Sequence, residues 1–153
     1  MRMRIRSLIP LTLTVGLLAS AAYANGKHEN DSNEVKYRHT VMEAMGNQFG
    51  AIVMVFTKRV DQPDNLKVHA KALADTATVA STLFPPGSEG GEALPIIWEE
   101  PDRFAAAMDD LVKKTAALSD AADSGDQAAM AAAFKAAGES CKGCHERYKE
   151  EDK

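Results

Sequence analysis

Cysteine is nearly absent from this chain, with two residues in 153. Two thiols exclude the dense disulfide framework that some small secreted domains use in place of a core. No stretch shows convincing two-residue hydrophobic alternation, so no β-sheet is assigned. There is no internal repeat, and the only compositional bias is toward alanine, the strongest helix former. Basic residues do not dominate: 18 Lys and Arg stand against 22 Asp and Glu, a formal net charge of −4. That balance argues against nucleic acid and anionic membrane surfaces as partners. The apolar stretch Leu8 to Ala19 is shorter than the roughly 20 residues a transmembrane helix needs. No grouping of base, nucleophile and oxyanion donors stands out, so no catalytic residue is named and no enzyme is expected.

What is present begins with an export signal. Arg2, Arg4 and Arg6 precede the apolar stretch, and Ala22-Tyr23-Ala24 follows as a small-x-small cleavage pattern. Residues 1–24 therefore read as a signal peptide, and 25–153 as one domain of 129 residues in the periplasm. Loss of three arginines and no acids takes the formal charge from −4 to −7. After signal cleavage no membrane association is expected.

Four helical periods follow. Val35, Arg38, Met42, Met45, Phe49, Ile52 and Phe56 alternate steps of three and four, with Asp31 or Ser32 able to cap the start. A second stripe is Leu66, Ala70, Leu73, Ala77, Ala80 and Phe84, with Pro63 or Asp64 in its first turn and Pro85-Pro86-Gly87 as its stop. A third starts at Pro101 and carries Phe104, Met108, Leu111, Thr115, Leu118 and Ala122. The fourth starts at Asp126 and carries Met130, Phe134, Ala137, Cys141, Cys144 and Tyr148. Four such helices predict an all-α fold, an antiparallel four-helix bundle. The link from Pro85 to Glu100 is unusually long, so it either packs over something or runs as a flexible surface crossover.

Both cysteines fall in Cys141-Lys142-Gly143-Cys144-His145. C-x-x-C-H is the attachment pattern for c-type haem: two thiols join the porphyrin and the adjacent imidazole ligates the iron. On a helix, Cys141 and Cys144 lie one turn apart, and His145 follows Cys141 by four residues on the same face. A redox dithiol, a structural disulfide and half a zinc site are the competing readings. His28, His39 and His69 are not spaced as further zinc ligands, and no βαβ pattern supports a thioredoxin-like dithiol. Because haem is joined to such motifs outside the bacterial cytoplasm, the export signal supports the haem reading.

Three segments carry a family resemblance. Lys36-Tyr37-Arg38-His39-Thr40-Val41-Met42, the loop Gly87-Ser88-Glu89-Gly90-Gly91-Glu92 with Pro95-Ile96-Ile97-Trp98, and Ser140 through Lys149 resemble, in order, parts of the cytochromes c prime. The resemblance implies one haem c held covalently by Cys141 and Cys144, with His145 as the proximal iron ligand. It implies that Arg38 pairs with a propionate, that His39 and Glu92 touch the haem periphery, and that Met42 roofs the open iron face. Lys149 falls one turn after His145, where many members carry arginine, and keeps the charge but not the planar fork. Met45 and Met54 read as packing. A homodimer through the first two helices is also implied, with Val53 and Val68 as compatible apolar residues.

Two functional readings lead. The first is a five-coordinate haem protein of the cytochrome c prime type, exchanging electrons with a periplasmic redox partner and admitting nitric oxide or carbon monoxide. The second is a low-spin, six-coordinate electron carrier with Met42 as sixth ligand; no methionine follows Met130, so such a ligand must come from upstream. A haem-free helical binding protein of the periplasm is the third.

Overall fold

Helix α1, Asn33–Phe56, begins where the hydroxyl of Ser32 accepts a hydrogen bond from the Val35 amide at 3.3 Å. Ser32, not Asp31, is the cap, and it satisfies one of the orphan donors of the first turn. The computed structural model describes residues 31–150, so the expected signal segment lies outside the described residues.

Helix α2, Asn65–Ala80, starts after Pro63 and Asp64 and stops before Phe84. The early stop has a local cause. The Ser81 and Thr82 hydroxyls donate to the carbonyls of Thr78 (2.9 Å) and Val79 (2.8 Å), competing with the helical ladder. Pro85 in turn disfavours helical backbone at Phe84. The Phe84 ring still joins the core, edge-on to Phe104 with centroids 4.7 Å apart.

The crossover contains one turn absent from the sequence expectation, α3, Ile96–Glu99, which begins immediately after Pro95. Helix α4, Pro101–Ser124, places proline at its first turn and buries all six stripe residues from Phe104 to Ala122. It ends at Gly125, whose φ of 73° is left-handed. Helix α5, Gln127–Tyr148, is capped by the Asp126 carboxylate, which accepts from the amides of Ala128 (2.8 Å) and Ala129 (3.1 Å).

The four long helices form an antiparallel bundle, with short links at 57–64 and 125–126 and the long crossover between α2 and α4. Helix α1 packs closely on α2, α2 on α4, and α4 on α5. Ile52, Leu73, Leu118 and Met130 lie fully inside this arrangement. Helices α1 and α5 meet differently, through rings. Phe49 and Phe134 stack with centroids 5.0 Å apart, and Phe56 leans on Phe134 at 5.3 Å.

That difference corrects the first seam. Val41, unassigned by the periodicity, is buried with Val35, Arg38, Met45 and Ile52, whereas Met42, Phe49 and Phe56 are half-buried. The half-buried three lie on the α5 side, where the walls stand apart. Met54 is not packing; it is exposed. Of the two apolar residues named for a dimer face, Val68 is 65% exposed and Val53 is half-buried.

Candidate functional site

Beyond the ring contacts, α1, α5, α4 and the crossover enclose a largely apolar cavity of about 510 Å³. Small-molecule and cofactor sites typically span roughly 300–1,000 Å³. Arg38, His39, Met42, Glu92, Cys141, Cys144, His145 and Lys149 all line it. The structure therefore brings all eight candidate site residues to one place.

The α5 wall carries the chemistry. Helical spacing turns Cys141, Cys144 and His145 toward the same cavity, and Phe104, Met108 and Leu111 of α4 form apolar wall beside them. Both thiols are half-buried, and burial pushes both pKa values up, that of Cys144 to about 11 with the neighbouring Cys141 adding to the effect. His145 stands at the exposed rim of the wall.

The position of α5 is fixed from α4 on both sides of the motif. Before it, Ser140 donates to Asp110 at 2.9 Å, and Asp110 also accepts from Lys114 at 2.8 Å. After it, Arg147 meets the Glu100 carboxylate with Nε and with Nη2, the latter 2.5 Å from Oε2, while the Tyr148 hydroxyl donates to Oε1 at 2.8 Å. This fork holds the Glu100 carboxyl down at about 2. The sequence reading missed it, because no periodic signal links positions 47 residues apart.

On the α1 wall, Met42 and His39 face the cavity one turn apart, with His39 Nε2 3.2 Å from Glu43 Oε1. Arg38 lines the cavity and is also bonded to the protein itself. It is 5% exposed, and its guanidinium donates to the crossover: Nη1 to the carbonyls of Ser88 (2.8 Å) and Leu83 (3.3 Å), Nη2 to that of Gly90 (2.8 Å). Its face also lies over the Phe84 and Trp98 rings, at 4.9 and 5.9 Å from their centroids. Burial lowers its pKa, and Asp31 and Glu89 push back.

The crossover closes the rim. Glu92 Oε2 lies 3.4 Å from Lys149 Nζ, and the two backbones pair beside them: Leu94 N to Tyr148 O at 2.9 Å and Glu150 N to Glu92 O at 2.8 Å. The long link thus packs over the cavity rather than running free.

The residues fit a haem c. Two thiols one helical turn apart, an adjacent imidazole and a roomy apolar enclosure are what covalent attachment of a flat, mostly apolar ring requires. Among the described residues no group of three or more His, Cys, Asp and Glu is placed to hold a bare metal ion.

Comparison with known proteins agrees. The family model described as Cytochrome C' matches residues 33–149. Cytochrome c' of Alcaligenes xylosoxydans is 35% identical, covering 75% of this chain and 91% of that protein. Cytochrome c-554 of Cereibacter sphaeroides is 32% identical over 96% of this chain and 99% of its own length. Among solved structures, a ferrous arginine-to-lysine variant of Alcaligenes xylosoxidans cytochrome c prime with bound NO superposes with a TM-score of 0.73 at 32% identity, covering 78% of this chain and 94% of that one. With the motif, the bundle and the cavity in agreement with these matches, the chain belongs to the cytochrome c' family and is a c-type haem protein of that type.

Proposed function

We propose that this chain is exported through residues 1–24 and works in the periplasm as a five-coordinate cytochrome c' that exchanges electrons and binds nitric oxide or carbon monoxide. The observation that carries this reading is the shared cavity, with Cys141, Cys144 and His145 on the α5 wall and Met42 on the α1 wall. A haem held there would supply one-electron redox chemistry and a binding place for a small uncharged gas. The residues of the chain do the rest. Cys141 and Cys144 would hold the ring covalently, and His145 would supply a nitrogen ligand to the iron. Met42, Met45 and Phe49 keep the opposite side apolar, which favours a neutral diatomic over an anion. His39, Glu92 and Lys149 line the polar part of the wall. The role is carriage and binding rather than turnover, and the protein pairs as a homodimer through α1 and α2, where Tyr37 and Val68 are exposed.

A second reading has one observation in its favour: Met42, a thioether, faces the same cavity as His145. It would then be the sixth ligand of a low-spin electron carrier. The absorption spectra of the oxidised and reduced protein separate the two. A high-spin ferrous spectrum that changes on adding carbon monoxide supports the first reading. A low-spin spectrum unmoved by carbon monoxide overturns it.

A further inference from the structure

Arg38 has more bonds to the crossover than a residue kept only for a cofactor would need. Its Nη1 reaches the carbonyls of Leu83 and Ser88 and the Ser88 hydroxyl (3.3 Å), and its Nη2 reaches Gly90 O. The partners are themselves tied together. Ser88, 2% exposed, donates from its hydroxyl to Pro85 O at 2.8 Å, and Trp98 Nε1 donates to the same carbonyl at 3.1 Å. A few residues on, the crossover is bonded to the end of α5 through the Leu94 and Glu150 amides. One continuous path therefore runs from the α1 wall of the cavity, through the crossover, to the α5 wall immediately after His145.

The geometry points to Arg38 as a positioning residue: it ties the crossover to α1 and thereby sets the spacing between the Met42 wall and the His145 wall. The planar fork is what makes this possible. Its N–H groups diverge in one plane and reach three separate main-chain carbonyls at once, whereas an ammonium is a point charge on a flexible stem. Charge alone would satisfy one carboxylate; it does not hold a loop. The consequence for gas access rests on the five-coordinate reading above, but the tie itself does not.

The test uses the full haem-loaded protein with Arg38→Lys and Arg38→Gln, followed by amide hydrogen exchange and by the rate of carbon monoxide binding. Both variants should raise exchange about tenfold or more at Leu94 and Glu150, the two amides that join crossover and α5. Amides in the middle of α2 should exchange as in the wild type, and carbon monoxide should bind several-fold faster. If Arg38→Lys exchanges as the wild type does, position 38 supplies only charge and the proposal fails. If exchange rises within 83–91 but not at Leu94 and Glu150, the coupling to α5 is overturned. Should Arg38→Gln not accumulate as folded protein, Arg38→Lys carries the test alone. A low-spin wild type would refute the five-coordinate reading and leave the exchange result standing.

Discussion

Arg147 closes on Glu100 as a planar fork on a carboxylate, Nη2 2.5 Å from Oε2, and so pins the last turn of α5 to the start of α4 two residues after His145. The pair fixes where the haem-attachment helix ends.

Its pH signature follows from the carboxyl. Folding lowers the Glu100 pKa from 4.5 to about 2, chiefly through the Arg147 hydrogen bonds, with that of Tyr148 adding. The folded state therefore binds this proton less readily than the unfolded chain does. Its stabilising contribution is complete above about 4.5 and is lost as the pH falls toward about 2. Urea titrations of the wild type and Glu100→Gln should differ at pH 7 and converge across that window. A gap that stays constant down to pH 2 would mean that Glu100 acts by packing alone.

The long seams were legible because burial in a bundle repeats with the helix itself, and the α4 stripe from Phe104 to Ala122 is buried at every position. Where the facing helix does not pack closely, periodicity misleads. Met42, Phe49 and Phe56 fit the pattern and are only half-buried, because α1 faces a cavity and an aromatic contact there rather than a packed neighbour. The same blindness covers the ties made across the crossover. Arg38 reads as a seam residue or a carboxylate partner, and no period shows its bonds to the carbonyls of Leu83, Ser88 and Gly90. The site residues themselves were legible through a short motif and a family resemblance, not through the period.

Backbone conformation in the crossover gives a second prediction. Gly91 has φ of 61°, and a Cβ there would lie 2.8 Å from Val35 Cγ1. Gly91→Ala should therefore cost about 1–3 kcal/mol, combining left-handed strain with a collision against a buried side chain. Gly125 has φ of 73° but open space around it, so Gly125→Ala should cost only about 1 kcal/mol. Chemical denaturation of both variants checks the order. Equal costs would mean that Val35 yields freely.

Covalent attachment can be read by mass. If the chain is exported and cleaved as proposed, it should appear as residues 25–153 plus one haem after acidic-organic extraction. Cys141→Ser and Cys144→Ser should each keep the haem through a single thioether, and the double variant should release it. Haem lost from the wild type under the same extraction would exclude the covalent link.

The last prediction concerns Met42 and decides between the two leading readings. Met42 lines the cavity from α1, and one turn earlier the same helix is locked to the crossover through Arg38. Helix α1 is held to α5 at one end by the stacked rings of Phe49 and Phe134, and at the other through the crossover's bonds to Tyr148 and Glu150. A wall fixed at both ends cannot easily swing inward to bring a thioether into bonding reach, although a flexible methionine side chain can still fill the space before it. Met42 is accordingly expected to crowd the open face rather than coordinate. Met42→Ala should keep the ferrous spectrum high-spin at neutral pH and speed carbon monoxide binding by about tenfold, the effect of a barrier lowered by about 1.4 kcal/mol. Stopped-flow mixing and optical spectra measure both. If the wild type is low-spin and Met42→Ala makes it high-spin, the sulfur is a ligand, and the chain is a six-coordinate electron carrier.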